Sequence, residues 1–202
     1  MFVLALAAGY VDAVSFFGAG VFTANMTGNT VLFAGSIAAH WWPRLPGTIG
    51  PALPLLSILA FVGAAATTAA VVGNRPSESA LRRPLLLCVA FLLAASAVGW
   101  HVLPVWTIVI ALSASMGVQS VVAVRLGMHG VSTTYVTGTL VSATIALFGR
   151  RVAARTRAGI ADLAVWALYL LGATAGAFGE AAFGTRSLWA AALVVALCAA
   201  FF

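Results

Sequence analysis

Apolar residues fall into eight runs that cover most of the chain: Phe2–Phe17, Val31–Trp42 (helical from about Asn25), Ile49–Gly73, Pro84–Val102, Val105–Val124, Tyr135–Phe148, Ile160–Phe183 and Leu188–Phe202. A helix needs about 20 apolar residues to cross the hydrocarbon of a bilayer. Ile49–Gly73, Pro84–Val102, Val105–Val124 and Ile160–Phe183 meet that length; Val31–Trp42, Tyr135–Phe148 and Leu188–Phe202 are shorter. The pattern predicts an all-α protein, a polytopic transmembrane helical bundle.

Polar positions concentrate in two stretches. The first is Gly9–Thr30, GYVDAVSFFGAGVFTANMTGNT, where Asp12, Ser15, four glycines and the run Thr23, Asn25, Thr27, Asn29 interrupt an apolar segment. The second is Gly117–Thr139, GVQSVVAVRLGMHGVSTTYVTGT. Thr23-Ala-Asn-Met-Thr-Gly-Asn29 matches Thr133-Thr-Tyr-Val-Thr-Gly-Thr139 at a shift of 110 residues, and Phe61–Thr67 resembles Leu170–Gly176 at a shift of 109. Broken helices at corresponding positions of two halves are an organisation of many secondary transporters.

Composition confirms the solvent. The chain is 63% hydrophobic and 7% charged, with a mean hydropathy of +1.11, too apolar for a soluble domain of 202 residues. Its net charge of +6 comes from ten arginines and no lysine against four acids. The arginines lie between apolar runs, where they set topology beside headgroups, so nucleic acid is not an expected partner. Cys88 and Cys198 lie inside apolar runs with neither CxxC nor His spacing, so no disulfide framework and no metal site is expected. The first run carries Asp12 at its centre and lacks a basic leader, which reads as a retained segment rather than a cleaved signal peptide.

The arginines also constrain the crossings. If all eight runs crossed, three crossings would separate the loop Asn74–Arg83 (Arg75, Arg82, Arg83) from Gly149–Ala158 (Arg150, Arg151, Arg155, Arg157) and put them on opposite faces. That conflicts with the collection of arginine on the cytoplasmic side. Let each polar unit, Phe2–Trp42 and Val105–Phe148, cross only once in net terms, as a broken or re-entrant element. Seven arginines then share one side, with Arg44 and Arg186 opposite. The expected architecture is one membrane domain, residues 1–202, of six net crossings with cytoplasmic termini. It consists of two inverted three-crossing repeats, 1–103 and 104–202, each starting with a broken or re-entrant helix.

Thr27-Gly28-Asn29 and Thr137-Gly138-Thr139 each precede an apolar run, where Ser, Thr or Asn caps a helix and Gly relaxes the backbone. Exposed N–H groups at such a start also favour an anion or polar solute. Asp12, Ser15 and Gly9 share one helix face. A carboxylate within a span must face protein or water, and it can supply charge or proton coupling. Its counterpart in the second half is Gln119 or Ser120, not an acid. Glu180 is expected to pair with Arg186, Asp162 to favour a helix start, Arg125 to snorkel, and His129 offers only an isolated imidazole. Gly63 with Thr67, and Gly172, Gly176 and Gly179, give small-residue faces that serve either the bundle or a homodimer. No nucleophile–base pair, HExxH, P-loop or dinucleotide fingerprint is present, so neither an enzyme nor a cofactor is expected.

Gly9-Tyr-Val-Asp-Ala13, Ser15-Phe16 and Phe22-Thr-Ala-Asn-Met-Thr-Gly-Asn29, with the Thr-Gly-Thr segment of the second half, resemble the YoaK-like bacterial membrane proteins (DUF1275), a family of unknown function. The resemblance covers essentially the whole chain and implies a six-span bacterial inner-membrane protein. This copy departs from the family in starting almost at the motif, without a short basic leader. The expected function is a carrier or channel for a small polar or anionic solute. Its site would lie between the broken helices, lined by Asp12, Ser15, Thr23, Asn25, Thr27, Gly28 and Asn29 on one side. Gln119, Thr133, Tyr135, Thr137, Gly138 and Thr139 would line the other. The alternative is a non-transporting membrane scaffold or partner-binding subunit.

Overall fold

Leu, Ala, Val and Phe carry the first helix, α1 (Phe2–Ala19), until Gly20 adopts φ +76° and returns its N–H to the Phe16 carbonyl at 2.8 Å. Glycine enters this left-handed cap without strain. After it come α2 (Met26–Trp41), α3 (Ala52–Gly73), α4 (Ser79–Gly99), α5 (Val105–Leu126), α6 (Val136–Phe148) and α7 (Ala153–Phe183); a 3-10 turn, Gly184–Ser187, leads into α8 (Leu188–Ala200). The structure is a computed structural model and describes residues 2–41, 50–73, 79–126, 136–148 and 153–201. Thr133, Tyr135 and His129 lie outside the described residues.

Pro84, the expected start of the fourth run, lies inside α4 within its first two turns, where its missing N–H removes one bond from the ladder. That helix ends at Gly99, before the expected Val102, because the N–H groups of Val102 and Leu103 both turn back to the Gly99 carbonyl.

Among the described residues, five stretches are long and apolar enough to cross a bilayer: Phe2–Ala19, Ala52–Gly73, Ala80–Gly99, Val105–Arg125 and the composite Ala158–Ala200. The protein is therefore a multi-pass membrane protein. As one straight helix the 43-residue composite would measure about 64 Å, twice the hydrocarbon thickness. Gly184, at φ +60°, breaks it between α7 and α8. At 16, 13 and 13 residues, α2, α6 and α8 are the short helices that the sequence anticipates.

Helices α1, α4, α5 and α8 enclose the centre, where Val11, Val14, Leu86, Leu93, Leu112, Met116, Leu188 and Val195 are fully buried. Outside them α7 lies against α1, and α3 against α5; α6 packs on α7, and α2 on α3. Within the centre α4 meets α8 and α5, and α1 meets α8 and α5. The outward faces carry Leu59, Val62, Phe91, Ile145, Leu171 and Phe178, all exposed, as suits side chains solvated by lipid.

Lipid is as apolar as these helices, so packing depends on how closely backbones approach. A Cβ at Gly9 would collide with the Tyr169 carbonyl, and Cβ atoms at Gly172 and Gly176 with the carbonyls of Leu6 and Tyr10. The α3–α5 pair meets in the same way, Gly117 lying on the Phe61 carbonyl. Gly63 faces open space, so the expected Gly63 face is not part of the bundle's packing.

Candidate functional site

After Gly20 the chain does not continue outward. Residues 20–25 fold back along α1, so that the N–H groups of Thr23 and Ala24 reach Asp12 Oδ1 at 2.7 and 2.6 Å. Asp12 lies seven residues before the end of α1, a return of about 10 Å. The Thr23 hydroxyl lies 3.4 Å from the same oxygen, and the Tyr169 hydroxyl of α7 donates to Asp12 Oδ2 at 2.6 Å. Asp12 is 2% exposed, and every one of these partners is a donor. Ser15 donates to the Val21 carbonyl at 2.7 Å. The expected shared face of Gly9, Asp12 and Ser15 thus exists, and it holds the returning chain and α7.

A second knot fixes the start of α2. Asn29 accepts from the Phe22 N–H at 2.9 Å through Oδ1 and donates to the Phe22 carbonyl at 2.7 Å and to Ser57 Oγ at 2.8 Å through Nδ2. Ser57 donates to the Phe22 carbonyl at 2.8 Å and lies 2.8 Å from Ser113 Oγ. With the one Ser57 proton given to Phe22, Ser113 is the donor in that last pair. Asn25 caps α2 by accepting from the Gly28 N–H at 3.1 Å. Gly28 leaves room for the Phe22 ring, 2.7 Å from where a Cβ would sit; that ring stacks on Phe16 at 4.6 Å. Thr27 is exposed and takes no part.

Unsatisfied backbone groups inside a bilayer cost several kcal/mol each, and here Asp12, Ser15 and Asn29 remove that cost at Val21, Phe22, Thr23 and Ala24. Asn29→Ala is accordingly expected to destabilise the protein by about 2–4 kcal/mol, and Thr27→Ala by less than about 0.5 kcal/mol. Thermal melting in detergent checks both; equal melting points would remove Asn29 from this role.

The second half looks different. Gln119 is fully buried, donates to the Leu4 carbonyl at 3.0 Å and leaves Oε1 without a partner among the described residues. Thr139, the counterpart of Asn29, is 4% exposed. Thr137 and Gly138 line a cavity of about 620 Å³ with Ser142, Ile145, Ala146 and Ala158. Residues of the first break are not among its walls.

Three participants lay outside the sequence expectation: Tyr169, Ser57 and Ser113. Each is a hydroxyl within an apolar span, and a buried hydroxyl requires a partner; that was the available signal. Glu180 and Arg186 form no ion pair. Glu180 Oε1 instead lies beside Gly18, near Trp100 and Thr185.

A family profile described as "Protein of unknown function (DUF1275)" matches residues 1–201. The UPF0700 transmembrane protein YoaK of Bacillus subtilis is 35% identical over 152 residues, which are 73% of this chain and 65% of that protein. The chain thus spans slightly less than two thirds of that relative's length. No solved structure matches.

Proposed function

From the premise that the chain belongs to the DUF1275 family of membrane proteins, we propose that it is a carrier for a small polar or anionic solute. We read it as two inverted repeats, each opened by a broken helix, in a bacterial inner membrane with both termini cytoplasmic. The observation that carries this reading is an exchange symmetry in the packing. Exchanging α1 with α5, α2 with α6, α3 with α7 and α4 with α8 maps each packed pair of these helices onto another packed pair or onto itself. The close approaches follow the same rule, since 108 residues separate Gly9 from Gly117 and also Phe61 from Tyr169. Paired broken helices in a repeated membrane bundle are the usual makings of a midplane solute site.

In this reading the halves have divided the work. The first break, with its polar groups engaged inside the chain, is a fixed wall built by Asp12, Ser15, Thr23, Asn25, Gly28 and Asn29. Solute contact falls to the second break, with Thr137, Gly138 and Ser142 at the cavity and Thr133, Tyr135, Thr139 and Gln119 as further candidates. The test is thermal melting of purified protein in detergent across a panel of small solutes and anions. A ligand at 100 times its Kd stabilises by about 2.7 kcal/mol. We expect a wild-type shift that is lost in Thr137→Val, a change at an exposed position. A shift that survives Thr137→Val and Ser142→Ala unaltered places the ligand elsewhere.

Saturation of the first break also favours a second reading, a non-transporting scaffold whose polar residues serve folding. It predicts no ligand shift with any solute and a protein that co-purifies in stoichiometric amount.

A further inference from the structure

A second cavity, of about 920 Å³, opens beside the C-terminal part of α7, the end remote from its arginine-rich start. Its long wall is Ala175, Phe178, Ala182 and Phe183, and it ends at Arg186 and Ser187 in the 3-10 turn. Phe178 and Phe183 are exposed, 73% and 72%, so the groove faces hydrocarbon. From Ala175 to Phe183 it runs about 12 Å along the helix axis, enough for the first half of an acyl chain.

The closed end is polar. Arg186 is exposed and forms no ion pair among the described residues. Ser187 lines the cavity and is 7% exposed, and its buried hydroxyl has no partner among the described residues. The Ser187 carbonyl accepts from the Tyr10 hydroxyl at 3.1 Å, while the serine O–H is a donor without a partner among the described residues. The floor is open because position 179 is glycine. A Cβ there would lie 2.5 Å from the Tyr10 hydroxyl and 3.1 Å from Ser187 Cβ. The neighbouring acid, Glu180, points to the other side of α7, toward Gly18 and Trp100.

An exposed guanidinium, a serine whose buried hydroxyl lacks a partner among the described residues and a lipid-facing apolar trough line one cavity. We infer that this groove is a binding site for an anionic glycerophospholipid. Its phosphate is held by Arg186 and the Ser187 hydroxyl, and one acyl chain lies over Phe178 and Ala182. Guanidinium–phosphate bonds are charge-assisted and strong where water is scarce. This site lies on α7, α8 and α1, apart from the cavity assigned to the solute, and it stands whether or not the chain is a carrier.

Native mass spectrometry of delipidated protein titrated with phosphatidylglycerol tests it, with diacylglycerol of the same chains and inorganic phosphate as comparison ligands. Wild type is expected to hold one phosphatidylglycerol in preference to diacylglycerol. Arg186→Gln is expected to weaken that adduct by about tenfold or more, and Arg186→Lys by less. Ala182→Phe, which fills the trough from the lipid side, weakens phosphatidylglycerol and diacylglycerol alike. Arg186 and Ala182 are exposed, so unchanged melting of the lipid-free variants verifies folding. Equal adducts in wild type and Arg186→Gln overturn the proposal. So does diacylglycerol binding as tightly as phosphatidylglycerol. Inorganic phosphate that displaces the lipid at equal concentration identifies a soluble-anion site and overturns it as well.

Discussion

Asp12→Ala is expected to destabilise the protein by about 3–5 kcal/mol, the range for orphaning a buried cluster of donors. The carboxylate is the acceptor for the Thr23 and Ala24 N–H groups and for the Tyr169 hydroxyl. Alanine leaves all three facing a site that water does not reach. Asp12→Asn separates charge from geometry. Its amide oxygen retains the two N–H bonds, and its NH2 can donate to the Tyr169 oxygen, so a loss of about 1–2 kcal/mol is expected. Tyr169→Phe removes one donor along with its demand and costs about 1 kcal/mol. Thermal or SDS-induced unfolding in detergent gives the order alanine worst, then asparagine and phenylalanine. If Asp12→Ala melts with wild type, the returning segment is held by something other than this carboxylate.

The second large effect is expected at the α1–α7 contact. Gly172→Leu or Gly9→Leu puts a side chain where the Leu6 or Tyr169 carbonyl lies. Backbone cannot move aside as a flexible side chain does, so the helices must separate. Overpacking costs about 1–3 kcal/mol when side chains can yield, and here the loss should exceed that. The same shift draws Tyr169 away from Asp12, so the polar contact and the packing fail together. Gly63→Ala is the matched control: it faces open space, and alanine in a helix gains about 0.5–1 kcal/mol over glycine. Equal yield and melting for Gly172→Leu and Gly63→Ala would show that this contact contributes little.

Much of the fold was readable from hydropathy. All eight runs appear as helices, the three short ones remain short, and the break at residues 20–25 falls where polar residues cluster. The errors at α4 are instructive. Periodicity does not register a proline tolerated near a helix start, nor a glycine whose carbonyl collects two following N–H groups. The candidate site was readable by residue type but not by partner. Asp12 and Asn29 stand out because polar groups are rare in such a chain. That they bind the chain's own backbone depends on its folding back after Gly20, and no local pattern encodes this. The partners of Asp12 and Asn29 on other helices, Tyr169 and Ser57, are 157 and 28 residues distant. Distance of that kind leaves no trace in spacing.

On the proposed exchange of halves, the polar clamp has an apolar counterpart. Ser57 touches Ser113, while the positions 108 residues away on the same pattern, Val165 and Ala5, make an apolar contact. The same backbone geometry thus serves a hydrogen-bonded joint in one place and a simple packing contact in the other.

The span of 157 residues between Asp12 and Tyr169 has a consequence for biogenesis. Chains emerge from the ribosome at about 5–20 residues per second, so α1 leaves the exit tunnel about 8–30 seconds before α7 follows. Throughout that interval its glycine face has no partner and its carboxylate lacks the phenol. Until the seventh helix arrives, the first has α5 as its only earlier packing partner among the described helices. Chains halted before Tyr169 lack both the phenol and the α7 contact, and are expected to be less stable than the full chain.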